Sequence, residues 1–331
     1  MVRSLSVRIL VTGAGGFIGS HVVENLLEKG HQVTAICKYN SEGNLGWLDT
    51  EENSNNSNLD MQLGDVTDTE YIERVTKGID TIVNLAALIG IPYSYIAPRS
   101  YLNVNTLGAM NLLEAARKHD ARLIQISTSE VYGNPVSVPI SLEHRINPQS
   151  PYAASKASAD LLCKSYHDSF NSKVLIVRPF NTYGPRQSLR AVIPTILSQI
   201  ANGKEKIEIG SLDVKRDFTY VTDTAVGISL AAESDFSNGE IVQLGTGISI
   251  SVNQIIEICK VEFNSEITIE AKIGRIRPAR SEIQILESDP SSAKYLLNWE
   301  AKTDLIQGLR RTYEWIKTQE STKRSLTKYH V

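Results

Sequence analysis

The chain has 331 residues, 41% hydrophobic and 21% charged, which suits one large α/β domain with a smaller one attached. With 34 basic and 37 acidic residues the net charge is −3, which argues against nucleic acid as the main partner. Cys37, Cys163 and Cys259 lie too far apart for a disulfide framework or a zinc site, and no run approaches the roughly 18 apolar residues of a membrane span. An N-terminus unlike a signal peptide completes the expectation of a soluble cytoplasmic protein.

In chain order, Val7–Val11 is expected as a first strand, His21–Lys29 as a helix closed by Gly30, and Gln32–Cys37 as a second strand. The polar stretch 51–58 (Glu-Glu-Asn-Ser-Asn-Asn-Ser-Asn) is expected to be a solvated loop. An apolar strand before Gly64-Asp65, then Thr81–Leu85, Leu123–Ser127 and Lys173–Arg178, with a helix over Thr106–His119, continue the alternation. Near-continuous apolar strands separated by helices mean buried parallel strands and right-handed crossovers, a Rossmann-like doubly wound sheet. After about residue 180 the alternation weakens. Strands at Lys206–Ile209, Glu240–Leu244 and Glu266–Glu270 mix with helices at Ala191–Asn202, Val252–Glu262 and Leu305–Lys317. The expected division is a dinucleotide-binding domain over 1–180, with parts of 217–250 returning to it, and a smaller α+β substrate domain over 181–331.

The first strand runs into Thr12-Gly13-Ala14-Gly15-Gly16-Phe17-Ile18-Gly19. Glycines at 13, 16 and 19 meet three needs at once: a sharp turn, close approach of backbone to a pyrophosphate, and tight packing of helix on strand. The following helix would turn its free N–H groups and positive dipole end toward the phosphates. The second strand ends in Lys38-Tyr39-Asn40 without the acid that usually takes the ribose 2′-hydroxyl. Lys38 would suit a 2′-phosphate, so NAD and NADP both stand. Asp65 is placed to accept from the adenine amino group.

Tyr152 and Lys156 are four apart, which puts both on one face of a helix, and Pro151 suits its first turn. A phenol is a poor acid-base at neutral pH until a nearby ammonium and a positive nicotinamide favour its phenolate. Such a pair serves hydride transfer, with Tyr152 taking the hydroxyl proton.

These motifs, with Asn84-Leu-Ala-Ala87, Ser127-Thr-Ser-Glu-Val-Tyr-Gly133, Arg178-Pro-Phe-Asn-Thr-Tyr-Gly-Pro-Arg186 and Arg216-Asp-Phe-Thr-Tyr-Val-Thr-Asp223, come in the order seen in extended short-chain dehydrogenases/reductases. The chain resembles the nucleotide-sugar epimerases, dehydratases and decarboxylases of that family over nearly its whole length. Gly46-Trp-Leu-Asp49, the apolar stretch Leu85–Tyr95 and Ala191-Val-Ile-Pro-Thr195 make it most similar to 4,6-dehydratases of the legionaminic-acid pathway.

The resemblance implies a tightly bound NAD or NADP that is regenerated in each turnover. It would be held by Gly13, Gly15, Gly16, Phe17, Ile18, Gly19, Lys38, Asp65, Val66, Leu85, Ala86, Ala87, Asn105, Tyr152 and Lys156. It implies a UDP- or GDP-linked hexose, N-acetylglucosamine first, against Thr128, Asn181, Arg186, Val192, Arg216 and Arg277, with Arg280 an alternative to Arg277. Thr128, Ser129, Glu130, Tyr152 and Lys156 would form the catalytic set. Thr128 fixes the C4 oxygen, and Glu130 removes the C5 proton. Ser129 stands where dTDP-glucose dehydratases carry an Asp acid. Thr-Ser-Glu also occurs in GDP-mannose dehydratases and in UDP-glucuronate decarboxylases, so decarboxylation and 4-epimerisation stand as alternatives. A homodimer through a four-helix bundle is implied. No metal is expected, because the six histidines show no ligand spacing.

Overall fold

A computed structural model describes residues 6–271, 278 and 280–321. Among these residues the strands are β1 (Arg8–Thr12), β2 (Gln32–Lys38), β3 (Leu59–Gly64), β4 (Thr81–Asn84), β5 (Arg122–Ile126), β6 (Val174–Pro179), β7 (Asn181–Tyr183), β8 (Lys206–Ile209), β9 (Lys215–Tyr220), β10 (Asn238–Leu244), β11 (Ser249–Ser251), β12 (Thr268–Ala271) and β13 (Ile285–Leu286). Seven of them form one sheet in the order β10-β6-β5-β4-β1-β2-β3. Every pairing in it is parallel. The order reverses between β1 and β4, and in such sheets ligands bind outside the strand C-termini at that switch point.

Both faces of this sheet are covered, which is why its inner strands carry near-continuous buried apolar runs such as Ile9–Val11 and Val174–Val177 rather than alternate ones. Ile9, Val11, Val83 and Ile124 pack on Val22, Val23 and Leu26 of helix Phe17–Glu28 and on Ala225 and Ile228 of helix Val221–Glu233. Leu10, Ile82 and Leu123 point the other way, onto Ile72, Leu112, Leu113 and Cys163. A second core, with Tyr183, Ile196, Leu197, Ile207, Ile255 and Leu309, gathers around helices Val192–Ala201, Val252–Glu262 and Leu305–Ser321. β7, β9, β11 and β13 form a small mixed sheet, and β8 pairs with β12.

Several expectations shift. The first helix begins at Phe17, four residues earlier than predicted, because the glycine turn itself forms its entry. Residues 51–58 are not all loop: Glu51–Ser54 is a helical turn, capped by the Thr50 hydroxyl accepting from Asn53 N at 3.2 Å. The helix predicted from Thr106 runs from Gly108 to His119, preceded by a π-helical stretch, Leu102–Leu107. The strand predicted over Glu266–Glu270 is Thr268–Ala271. Among the described residues no helix is long and apolar enough to cross a membrane.

Candidate active site

The cofactor cradle is built from backbone. Gly13 has φ +66°, a conformation that disfavours any side chain, and a Cβ there would meet Ala86 N at 2.8 Å and Leu85 O at 2.9 Å. A Cβ on Gly19 would lie 2.2 Å from Gly13 O, so strand and helix close on each other only without one. Gly15 is pressed against the segment after β2: its Cβ would meet Leu45 O at 2.3 Å, and Trp47 N donates to Gly15 O at 3.0 Å. Gly16 caps the helix without a side-chain bond and stands exposed, with Phe17 and Ile18 half-buried behind it. The positive dipole end of the helix therefore sits at an exposed glycine, where a pyrophosphate could approach.

The turn at Gly13 brings Leu85, Ala86 and Ala87 beside it. A cavity of about 120 Å³ is lined by Gly13, Lys38, Asp65, Val66, Ala86 and Ala87, among others. It adjoins a more open cleft of about 700 Å³ past Lys38, Asp65, Thr67 and Tyr93. Lys38 is exposed at the end of β2, while one oxygen of Asp65 accepts from the N–H and hydroxyl of Thr67. The Asn105 amide is taken up by Leu88 N and O and by Ser155 Oγ (2.8–3.0 Å), so it ties the segment after β4 to the helix bearing Tyr152.

A row of buried hydrogen bonds crosses the strand ends from this cradle. Thr12 Oγ1 donates to Asn84 Oδ1 (2.7 Å) and accepts from Ala86 N (3.1 Å). Asn84 Nδ2 donates to Gln125 Oε1 (2.8 Å), and Gln125 Nε2 donates to Ile126 O (3.2 Å). Lys156 Nζ ends the row on that same carbonyl, at 2.5 Å.

Lys156 and Tyr152 lie on helix Pro151–Phe170, with Pro151 at its first position and the Ser150 hydroxyl accepting from Ala153 N. Both are buried, Lys156 at 3% exposure and Tyr152 at 8%. Burial draws the Lys156 ammonium down to about 8, and Asp160 opposes it. Burial holds the Tyr152 phenol well above its ordinary value, with the Thr128 hydroxyl working the other way and the Glu130 charge adding to the rise. The Tyr152 ring packs with Ile91, Leu88 and Tyr95 and edge-on against Tyr101, centroids 6.3 Å apart. Across from it, Thr128 caps the short turn Ser129–Tyr132 by accepting from Glu130 N at 3.2 Å. Thr128, Ser129 and Glu130 are all buried. The structure thus brings together Thr128, Glu130, Tyr152 and Lys156 from two separate stretches.

The substrate-binding residues are less concentrated. Asn181 is half-buried in β7, and Val192 is half-buried at the start of its helix. Arg216 is buried in β9, with Nη1 donating to Lys215 O and Nη2 3.7 Å from Glu282. Arg186, at φ +71°, reaches back to helix Phe17–Glu28, donating to Ser20 Oγ at 3.0 Å and pairing with Glu24 at 2.8 Å. Its guanidinium thus pairs with that helix, and the motif alone gave no sign of the Glu24 partner. Arg277 lies outside the described residues, and its alternative Arg280 is exposed. Sequence reasoning missed the partners of the catalytic set: Asp160, Arg178, Tyr132 and Tyr101. Asp160 carried one signal, its place four residues beyond Lys156. Among the described residues no group of three His, Cys, Asp or Glu is placed to hold a metal.

A sequence model of the family described as GDP-mannose 4,6 dehydratase matches residues 10–312. A putative UDP-glucose 4-epimerase from Methanocaldococcus jannaschii is 32% identical, covering 95% of this chain and 100% of that one. A UDP-N-acetylglucosamine 4-epimerase from Methanobrevibacter ruminantium, solved with UDP-N-acetylmuramic acid, superposes with TM-score 0.84 at 32% identity, covering 95% of this chain and 99% of that one. A dTDP-glucose 4,6-dehydratase from Streptomyces venezuelae, solved with NAD, gives TM-score 0.84 at 26% identity, with 97% and 100% covered. With a glycine turn, a buried Tyr–Lys helix and a Thr-Ser-Glu turn meeting at the ends of one parallel sheet, the chain belongs to the nucleotide-sugar dehydratase and epimerase family of extended short-chain dehydrogenases/reductases.

Proposed function

We propose that the chain is a nucleotide-sugar 4,6-dehydratase acting on a UDP- or GDP-linked hexose, N-acetylglucosamine first. The observation that carries this is the buried Glu130 on the turn Ser129–Tyr132, which packs against the helix bearing Tyr152. A 4-epimerase needs an acid-base at C4 alone; a dehydratase also needs a carboxylate for C5. The apolar Ile89, Ile91, Tyr93 and Tyr95 stretch suits an acetamido methyl, and residues 147–151 before Tyr152 hold no arginine to anchor a sugar carboxylate, Arg145 lying seven residues away and exposed.

The cradle fits NAD: Gly13, Gly15, Gly16, Phe17, Ile18 and Gly19 would hold the pyrophosphate, and Lys38, Asp65, Val66, Leu85, Ala86 and Ala87 the adenosine and the flanks. Held there, the cofactor would supply the hydride acceptor and donor for the sugar carbons and a positive ring that favours the Tyr152 phenolate. Thr128 orients the C4 hydroxyl and Tyr152 takes its proton as the ketone forms. Lys156 holds positive charge under the phenolate. The ketone acidifies the C5 hydrogen, which Glu130 removes. The C6 hydroxyl leaves as water, carrying the proton that Glu130 delivers, since Ser129 is no acid at neutral pH. As C6 gains hydride, C5 takes a proton exchanged through solvent, which balances the one Tyr152 took from the C4 hydroxyl, and the 4-ketone remains.

In this reading the nucleotide arm lies along residues 181–331, with Asn181, Val192 and Arg216 its candidates. The molecule is a cytoplasmic homodimer paired through a four-helix bundle, and the exposed Leu102, Leu107 and Leu161 on the two helical segments favour this. Incubation with UDP- or GDP-N-acetylglucosamine should give a product lighter by one water. Unchanged mass with an inverted C4, or carbon dioxide released from UDP-glucuronate, moves the assignment to epimerase or decarboxylase.

A further inference from the structure

Asp160 stands one helical turn beyond Lys156, and its carboxylate is 4% exposed. Its Oδ2 accepts from Ser127 Oγ at 2.8 Å and from Arg178 Nε at 3.0 Å. Arg178 passes the connection on: its Nη1 donates to the Tyr132 hydroxyl at 2.8 Å, its guanidinium lies 5.0 Å from that ring's centroid, and Gln243 Nε2 donates to the same hydroxyl at 2.7 Å. All of these groups are buried.

Two geometric consequences follow. Ser127 and Tyr132 bracket the segment that carries Thr128, Ser129 and Glu130, so the Asp160–Arg178 pair grips it at both ends. Consecutive turns of the Tyr152 helix also dock on consecutive residues of the strand end, Lys156 on Ile126 O and Asp160 on Ser127 Oγ. The other carboxylate oxygen, Oδ1, is buried and finds no hydrogen-bond partner among the described residues. A buried ion pair is weak evidence for stability, since well-packed apolar residues often do as well. Its placement here speaks for alignment.

We propose that Asp160, acting with Arg178, is a positioning residue that sets the Thr128–Glu130 segment against the Tyr152 helix and supplies the buried negative charge that partners Lys156. This rests on the dehydratase reading only for what the aligned groups do. The other titratable groups around this stretch are Tyr152 and Cys163 on the same helix, Arg178 on β6, Glu130 after β5, and Tyr101 against the Tyr152 ring. Of these charges it is chiefly Asp160 that resists the fall of the Lys156 ammonium.

Asp160→Asn keeps the shape and an acceptor but removes the charge. In the full-length protein with NAD, it should lower kcat about tenfold while KM moves less than about threefold. The alkaline limb of kcat should move down by about one pH unit, because Lys156 loses its proton earlier. Tyr132→Phe leaves that charge in place but frees one end of the segment, so reduced nicotinamide should accumulate with the alkaline limb unmoved. A folded Asp160→Asn with wild-type kcat and limb overturns the proposal. Where Asp160→Asn does not fold, wild-type kcat in both Ser127→Ala and Tyr132→Phe does so. One readout needs no turnover: in protein carrying [ε-13C]lysine, the Lys156 resonance, assigned by its loss in Lys156→Met, should titrate at lower pH in Asp160→Asn. An unmoved resonance overturns the proposal whatever the substrate. A moved one in a protein that turns over no nucleotide sugar contradicts the dehydratase reading and leaves the positioning role standing.

Discussion

The turn after β1 and the segment after β5 leave the sheet two strands apart, and they are built from opposite materials. The first works by having no side chains: Gly13, Gly15 and Gly19 each sit where a Cβ would strike backbone within 3 Å. The second works by having many. Thr128 and Glu130 are buried in a stretch whose neighbours Ser127 and Tyr132 are held by Asp160 and Arg178. In the proposed reaction the cofactor stays through turnover, which needs an invariant surface, as backbone provides. In the same proposed reaction C4, C5 and C6 of one sugar are served in sequence, which needs acids and bases fixed to fractions of an ångström, as side-chain networks provide.

The largest effects should fall on the side-chain half. Tyr152→Phe removes the acid-base for C4 and should cost about 10²–10⁴ in kcat, measured with saturating sugar nucleotide. Glu130→Gln should lose elimination by a similar factor of about 10²–10⁴, yet still transfer hydride from C4. Near-ultraviolet absorbance of reduced nicotinamide, trapped without product, would show that split; full dehydration by this variant refutes the role given to Glu130.

Gly13→Ala tests the backbone half. The added methyl meets Leu85 and Ala86 backbone at a positive φ, at a cost of roughly 1–3 kcal/mol by analogy with other strained positions. The variant should therefore release NAD on gel filtration and regain activity only with added cofactor. Retention equal to wild type would mean the turn tolerates a side chain and the contrast fails.

A smaller effect concerns pH. Lys156 is charged below about 8 and neutral above it, so kcat should fall as pH rises past that value. A rate still rising there would show that the ammonium is dispensable. The smallest effect is expected at Arg186. Its pair with Glu24 is partly exposed, so Arg186→Ala should lower stability by only about 0.5 kcal/mol in urea unfolding, with KM for the sugar nucleotide little changed. A large rise in KM would return Arg186 to the diphosphate site.

Legibility followed the range of the interactions. The glycine turn and the Tyr152–Lys156 spacing are local, so their places on a strand-to-helix turn and on one helix were readable from the sequence. The parallel sheet was readable because burial on both faces writes a continuous apolar run. The small sheet around β9 was not, since its residues hide their burial: Arg216 and Asp217 are charged, and Asp217 is satisfied by Thr246, Gly247 and Ser288 from elsewhere in the chain. Glu51–Ser54 escaped because one capped turn is too short to show a period. The Asp160–Arg178 grip joins four stretches of sequence, and only its helical spacing from Lys156 hinted at it.

Substrate deuterated at C4 of the sugar provides the most direct measurement. If Tyr152, Lys156 and Glu130 act in turn on one bound hexose, the product loses a water and carries the deuterium at C6. Deuterium found again at C4, in a sugar of full mass with that hydroxyl inverted, would contradict the account.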